Sequence, residues 1–292
     1  MHARGKQLFP PGTERMALGL LSLMRPVNGV IAFAGVLATG VIAGAGREVL
    51  PRLLLAGAGV LLLGSAGNIA NDVHDAAIDR INKPRRAIAA GKVSSSAGIV
   101  WAVICASAGI ACSVPLGPEA FAIAVTSALL MYLYSASFKG IPLLGNATVG
   151  LLTGAAFLYA GYAAGNPAAG IVPGSFACVF NIAREILKDV EDMEGDAACG
   201  VRTFPLAYGY TPSYIVVTFL LAAVIAASFL PYTGGLYNGW YLFIVVAGVD
   251  LVLAGTMIVL WRQPARNTVA RLNTVLKYDM LVGIAAIVLG TK

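Results

Sequence analysis

Charge is what this sequence has least of. Asp, Glu, Lys and Arg make up 12% of its 292 residues and hydrophobic residues 58%. Soluble globular domains carry about 25% charged residues. With several apolar stretches near 20 residues, the shortfall excludes a soluble globular fold and predicts an all-α polytopic membrane protein. Cysteine is also scarce. Cys105, Cys112, Cys178 and Cys199 have no metal-ligand spacing and lie mostly in apolar runs, so they read as small core residues. No secretory cleavage site follows the first apolar stretch, although Arg4, Lys6 and Arg15 precede it, and that stretch is expected to be a retained helix. The net charge of +6 follows from membrane topology and calls for no nucleic acid.

Nine spans are expected, at 27–45, 50–72, 96–114, 118–137, 143–165, 170–189, 212–231, 240–260 and 273–290. With the N-terminus inside and the C-terminus outside, the cytoplasmic segments are 1–26, 73–95, 138–142, 190–211 and 261–272. These segments and the adjoining helix ends hold 17 of the 20 Lys and Arg, leaving only Arg47, Arg52 and Lys292 on the outer side. A wrong helix count would scramble that alternation. No linker divides the chain, so residues 1–292 read as one domain, with a weak internal echo between spans 1–4 and 5–8. In each half an apolar helix ends in an acidic cluster and a basic loop follows.

The acid is placed, not scattered. Nine of the 14 carboxylates fall in two clusters, Asn68–Asp79 and Glu185–Asp196. Asn71, Asp75 and Asp79 are spaced i, i+4, i+8, which keeps them on one helical face with a drift of about 40° per step. Asn68 and Asp72 fall beside them, and His74 falls off the stripe. Glu185, Asp189, Asp192 and Asp196 form a second stripe at i, i+4, i+7, i+11. All the donors are hard oxygens, which favours Mg²⁺, an ion that keeps waters and shares phosphate oxygens. Several like charges near a bilayer repel one another unless a cation neutralises them. Lys83, Arg85, Arg86, Lys139, Lys188 and Arg202 lie on the same side. Metal with Lys and Arg is a clamp for a polyphosphate, and its opening into an apolar cavity predicts a substrate with a diphosphate head and a lipid tail.

Charged loops alone would explain Arg262, Arg266 and Arg271, which are read as topology determinants. They do not explain two helically phased acidic stripes with Asn inside them. Asp250 and Asp279 stand apart, with Lys277 within reach of Asp279, and carry no predicted function. Gly150–Gly154 and Gly161–Gly165 read as close helix contacts, not as a nucleotide loop.

Asn71-Asp72-Val-His-Asp75-Ala-Ala-Ile-Asp79, followed by Asn82-Lys83-Pro84-Arg85-Arg86, resembles the first signature of the UbiA superfamily of intramembrane prenyltransferases. Asp192-Met-Glu-Gly-Asp196, followed by Gly200-Val-Arg202-Thr203, resembles the second, and Lys139-Gly-Ile-Pro-Leu-Leu-Gly145-Asn146 the segment between them. Two departures stand out. The family's Arg-Pro is Arg86-Ala87, and its Tyr-x-x-x-Lys has Ser135 four places before Lys139, with Tyr134 one place further back. Met24-Arg25-Pro26-Val27-Asn28-Gly29 is similar to the archaeal ether-lipid branch, whose members move a geranylgeranyl group from geranylgeranyl diphosphate onto geranylgeranylglyceryl phosphate.

The resemblance implies an integral membrane enzyme with its active site facing the cytoplasm and two Mg²⁺ ions. Asn68, Asn71, Asp72, Asp75 and Asp79 serve as metal ligands on one side and Asp189, Asp192 and Asp196 on the other. Asp72, Asp75, Asp192, Asp196 and Lys139 are the implied catalytic set. Arg25, Asn28, Lys83, Arg86, Tyr134, Lys139, Asn146, Lys188 and Arg202 are the implied substrate contacts, with Arg25 on the acceptor. The partners are an isoprenyl diphosphate donor, a lipid-like or aromatic acceptor, and membrane lipids. A 4-hydroxybenzoate-type aromatic acceptor is the alternative within the family, and a cation transporter the alternative outside it. Cations beside the acidic stripes would repel a transported cation.

Overall fold

The computed structural model describes residues 13–263 and 265–292; Arg4 and Lys6 lie outside the described residues. Fourteen α-helices follow one another: α1 (Thr13–Leu23), α2 (Pro26–Ile42), α3 (Leu50–His74), α4 (Ala76–Asn82), α5 (Ser95–Ser113), α6 (Pro118–Ala136), α7 (Leu144–Ala163), α8 (Ile171–Ala198), α9 (Phe204–Tyr208), α10 (Tyr210–Ser228), α11 (Leu230–Thr233), α12 (Gly239–Ile244), α13 (Leu251–Arg262) and α14 (Arg266–Gly290). Among the described residues, eight helical segments are long and apolar enough to cross a membrane, and they fall on expected spans two to nine. The first expected span, 27–45, falls on α2, which forms a bent pair at 45° with α1 of the expected cytoplasmic segment 1–26; counted as one span the pair makes a ninth. The chain is an integral multi-pass membrane protein.

The bend has a local cause. Pro26 opens α2 and disfavours helical backbone at the residue before it. Arg25 accordingly sits in the left-handed region (φ 52°, ψ 66°), a costly place for a residue with a Cβ. The break turns the Arg25 side chain into the bundle.

Two boundaries differ from the sequence expectation. The span placed at 170–189 belongs to a helix that continues to Ala198, about two and a half turns further. Likewise, residues 266–272, expected in a loop, already belong to α14. Hydropathy falls where a helix leaves the apolar layer, but packing keeps it helical. Arg266 donates to the Glu191 carbonyl (2.9 Å), to Glu194 (2.7 Å) and to Asn82 Oδ1 (3.1 Å), tying the start of α14 to the end of α8 and to α4. Arg266 is thus a structural tie as well as a topology signal.

Small residues bring the helices close, as membrane bundles require. A Cβ on Gly154 would lie 2.8 Å from the Gly174 carbonyl and one on Gly174 2.8 Å from that of Gly154, so α7 and α8 touch backbone to backbone. Gly150 meets the Cys178 carbonyl at 2.7 Å in the same way. Gly161 packs on the Asn166–Pro167 turn, and Gly165 is a turn residue at φ 79°. Apolar clusters fill the interior around α8, α10 and α12–α14, around α2, α3, α6 and α7, and beneath the 83–94 loop. Large apolar side chains such as Phe219, Trp240, Phe243 and Leu251 point outward, as lipid-facing positions do. At the end of the bundle away from the acidic clusters, Arg52 donates to the carbonyls of Ala163 (3.0 Å) and Leu116 (2.9 Å), and Lys292 to that of Gly235 (2.8 Å). Two of the three cations expected outside therefore satisfy helix-end carbonyls. Cys105 is buried, Cys112 and Cys178 half-buried and Cys199 exposed, all four as free thiols.

Candidate active site

The first acidic stripe does not run along one unbroken helix. α3 ends at His74, Asp75 departs from helical backbone, and α4 follows. The hydrogen-bond ladder nevertheless passes through the break, from Asp75 N to Asn71 O, Asp79 N to Asp75 O and Lys83 N to Asp79 O, each at 2.8 Å. That continuity preserves the phase that the spacing predicts. Asn71, Asp72, Asp75 and Asp79 are all buried, and His74 is exposed. The second stripe lies on the continuous α8, with Glu185, Asp189 and Asp196 buried and Asp192 half-buried.

The stripes face each other through α4 and α8. Asn82 Nδ2 donates to the Asp192 carbonyl (2.7 Å), and its Oδ1 accepts from the Gly195 amide (3.1 Å). Lys139 stands between the stripes, with Nζ 2.6 Å from Asp75 and 3.5 Å from Asp196. A 3-10 turn at Phe138–Gly140 holds it there. Gly145 admits that turn, because a Cβ at this position would meet the Lys139 Cα at 3.1 Å.

Cations pair with the remaining acids. Lys83 contacts Asp192 at 2.6 Å. Arg86 bridges Asp72 (3.1 Å) and Asp79 (2.7 Å). Arg25 reaches Asp72 at 2.5 Å and Asn68 at 3.1 Å, so it enters the site and does not extend along the helix end toward water. Asn71 donates to Asp75 (2.8 Å), Asn146 to Asp189 (2.7 Å) and Lys188 to Glu185 (2.7 Å). Burial pushes the Asp79 carboxyl above its ordinary value, outweighing the opposite pull of Arg86. Burial also opposes the charge of Arg86, but Asp72 and Asp79 outweigh it and hold the guanidinium above its ordinary value. Ala87, where the family has proline, is buried beneath this loop beside Gly19 of α1.

Two cavities adjoin the site. One, of about 560 Å³, is rimmed by Arg25, Lys83, Arg85 and Arg86 over Asp72. The other, of about 340 Å³, runs inward from Arg25, Asn28, Asn68, Asn71, Tyr134 and Lys188 to an apolar region around Val36, Phe157 and Ile284. Tyr134 therefore faces the cavity although its spacing from Lys139 is one residue longer than the family's. Arg202 is exposed and lines neither cavity. Arg184 and Lys277 also line the second cavity; in the sequence Arg184 counted only among the helix-end charges and Lys277 as a partner within reach of Asp279. Asp279 does not pair with Lys277. It lines a separate cavity of about 100 Å³ with Asp250, which accepts from Ser228 (2.9 Å) in a π-helical stretch, Val245–Asp250.

A divalent ion suits the donor chemistry. Asp196 is fully buried, and beyond the Lys139 ammonium 3.5 Å from Oδ1 its carboxylate has no partner, while Asp192 Oδ1 has no hydrogen-bond partner, among the described residues. Buried oxygens of this kind need a cation or donor. No three acids, His or Cys among the described residues converge tightly enough to cage an ion by themselves. Mg²⁺ does not require that, since it takes one or two carboxylates and completes its shell with water and phosphate.

Residues 30–278 match the model of the UbiA prenyltransferase family. The chain belongs to that family. As a UbiA prenyltransferase it is an enzyme, and its curated relatives narrow the comparison. It is 36% identical over 267 residues to the digeranylgeranylglyceryl phosphate synthase of Methanopyrus kandleri, covering 91% of this chain and 96% of that one. It is 40% identical over 237 residues to the synthase of the same name from Methanoregula boonei, covering 80% and 83%. A solved structure concerning digeranylgeranylglyceryl phosphate synthase in membranes superposes with a TM-score of 0.72 at 31% identity, over 94% of this chain and 98% of that one. A UbiA homologue from Archaeoglobus fulgidus, solved with GPP and Mg²⁺, shares the fold at a TM-score of 0.58 and 15% identity, over 92% and 99% of the two chains.

Proposed function

We propose that this prenyltransferase moves a geranylgeranyl group from geranylgeranyl diphosphate to geranylgeranylglyceryl phosphate in archaeal ether-lipid synthesis, in a Mg²⁺-dependent reaction. The observation that carries this reading is the pair of opposed acidic stripes, bridged by Lys139, at the mouth of an apolar cavity. The names of the curated relatives support the acceptor.

Asn68, Asn71, Asp72, Asp75 and Asp79 would hold one Mg²⁺, and Asp189, Asp192 and Asp196 a second. When bound, the ions supply neutralisation of the charge that builds on the leaving diphosphate. Lys139, Lys83 and Arg86, which now neutralise the acids, turn to the diphosphate oxygens, and Arg202 would close over them from the loop after α8. The allylic C–O bond breaks, its electron pair leaves with diphosphate, and the apolar cavity keeps water from the carbocation. The acceptor hydroxyl attacks C1 and gives its proton to a stripe carboxylate or to the departing diphosphate. Arg25 and Asn28 face the acceptor, and Tyr134, Asn146 and Lys188 shape the wall between donor and acceptor. The positive-inside pattern supports nine crossings, N-in and C-out, with the site on the cytoplasmic face. The chain acts as one domain, its two halves each contributing a stripe.

The test is an acceptor panel with labelled geranylgeranyl diphosphate, Mg²⁺ and an EDTA control. Metal-dependent product with geranylgeranylglyceryl phosphate is expected. Product only with 4-hydroxybenzoate would move the enzyme to the aromatic branch, and no diphosphate release with any acceptor would reopen cation transport. Lys139→Ala is expected to raise the donor KM by roughly 10–100-fold, the worth of a charged hydrogen bond. Unchanged donor kinetics would remove Lys139 from the clamp.

A further inference from the structure

The charges lining the inner cavity do not balance. Its wall carries Arg25, Lys188, Arg184 and Lys277 but, of carboxylates, only Glu185. Lys188 is paired with Glu185, and Arg25 with Asp72. Arg184 and Lys277 form no salt bridge among the described residues. Arg184, Arg25 and Lys277 line one cavity, and the Lys277 ammonium lies 5.9 Å from the centroid of the Tyr278 ring. Unpaired cations at this depth are costly and need an anion.

Arg184 is also held in one pose. Its Nε donates to Asn273 Oδ1 (3.1 Å) and its Nη1 to Asn181 Oδ1 (3.2 Å), from two buried asparagines. Its Nη2 has no partner among the described residues. A neutral amide frame orients a guanidinium without consuming its charge, which leaves it for a ligand. Neither Arg184 nor Lys277 pairs with an acid of the donor site, whose ion pairs run to Arg25, Lys83, Arg86 and Lys139. Along α8, Arg184 lies five residues, roughly 7.5 Å, from Asp189 toward the interior.

Resting on the transfer reaction proposed above, we infer that Arg184 and Lys277, framed by Asn181 and Asn273, seat the phosphate of the acceptor lipid. A phosphate monoester carries about −1.5 to −2 charge at pH 7, which matches two unpaired cations. The short glycerol backbone then spans from this seat toward the donor's C1 beside the stripes. The single charge of a 4-hydroxybenzoate carboxylate would leave one cation uncompensated.

The experiment uses the purified full-length membrane protein and the double variant Arg184→Gln/Lys277→Met. Transfer from geranylgeranyl diphosphate is measured to geranylgeranylglyceryl phosphate and to phosphate-free geranylgeranylglycerol. Binding of each lipid is measured without donor. The phosphate lipid's KM and Kd are expected to rise roughly 10–100-fold, while the donor KM and the values for the phosphate-free lipid hold. Arg184→Lys should recover part of the loss. Lys277→Met alone, with the melting temperature of each variant, separates a lost contact from a lost fold. A rise confined to the donor, equal losses with both lipids, or no change would each overturn the seat. If the wild-type protein transfers nothing to the phosphate lipid, the proposed reaction fails, and binding decides the seat by itself. Binding of the phosphate lipid that the double variant weakens sustains it; absent or variant-insensitive binding overturns it.

Discussion

Asp192→Ala and Asp75→Ala are each expected to lower kcat/KM by on the order of 10³-fold, with a folded, extractable protein remaining. The two residues sit on opposite stripes. Asp75 accepts from Asn71 and Lys139, and Asp192 accepts from Lys83 while keeping one oxygen without a partner. Removing Asp192 leaves Lys83 without its counter-ion, removing Asp75 leaves Lys139 only the longer contact to Asp196, and either change deprives the diphosphate site of a hard oxygen. The fold should survive, because the α4–α8 contact runs through the Asp192 carbonyl and not its side chain. Activity within a fewfold of wild type in either variant would sink the two-stripe site.

Gly195→Ala is expected to cost about 10²-fold in kcat although the residue touches no substrate, because small displacements of reacting groups carry penalties of that size. A Cβ here would lie 2.5 Å from Asn82 Nδ2 and 2.9 Å from the Ile78 carbonyl. Asn82 could rotate, but the carbonyl belongs to the backbone of α4, so α4 must move off α8. That movement carries Asp79 and Lys83 away from Asp192 and Asp196. Overpacking of this kind also destabilises by roughly 1–3 kcal/mol. The check is kinetics beside thermal melting. A variant that melts lower but turns over normally would mean that the α4–α8 contact is structural only.

Both predictions depend on features that the sequence carried unequally. The acidic stripes were legible because a backbone with 3.6 residues per turn converts spacing into a shared face, and the ladder through Asp75 preserved that phase across a break that spacing could not reveal. Span positions were legible from hydropathy, but the reach of α8 to Ala198 and of α14 back to Arg266 was not, since contacts hold those turns. Arg25 and Lys139 were found as motif residues. Asn82 and Gly195 stood inside the signatures without an assigned role and Asn273 was missed, because an amide or a glycine gains its role only from what packs against it. Arg184 looked like topology charge and Lys277 like a partner for Asp279, because a one-dimensional pattern cannot say which cations have found a carboxylate.

By itself, then, the sequence determined a polytopic helical protein of this family, the two oxygen-rich stripes and the basic residues beside them. Each of these is written in local composition and helical period. Only the tertiary structure decided which helices oppose, which acid each cation neutralises, and which cations are left over facing the cavity. Those depend on contacts between residues that stand up to 184 positions apart, as Arg266 and Asn82 do, and no local rule encodes them.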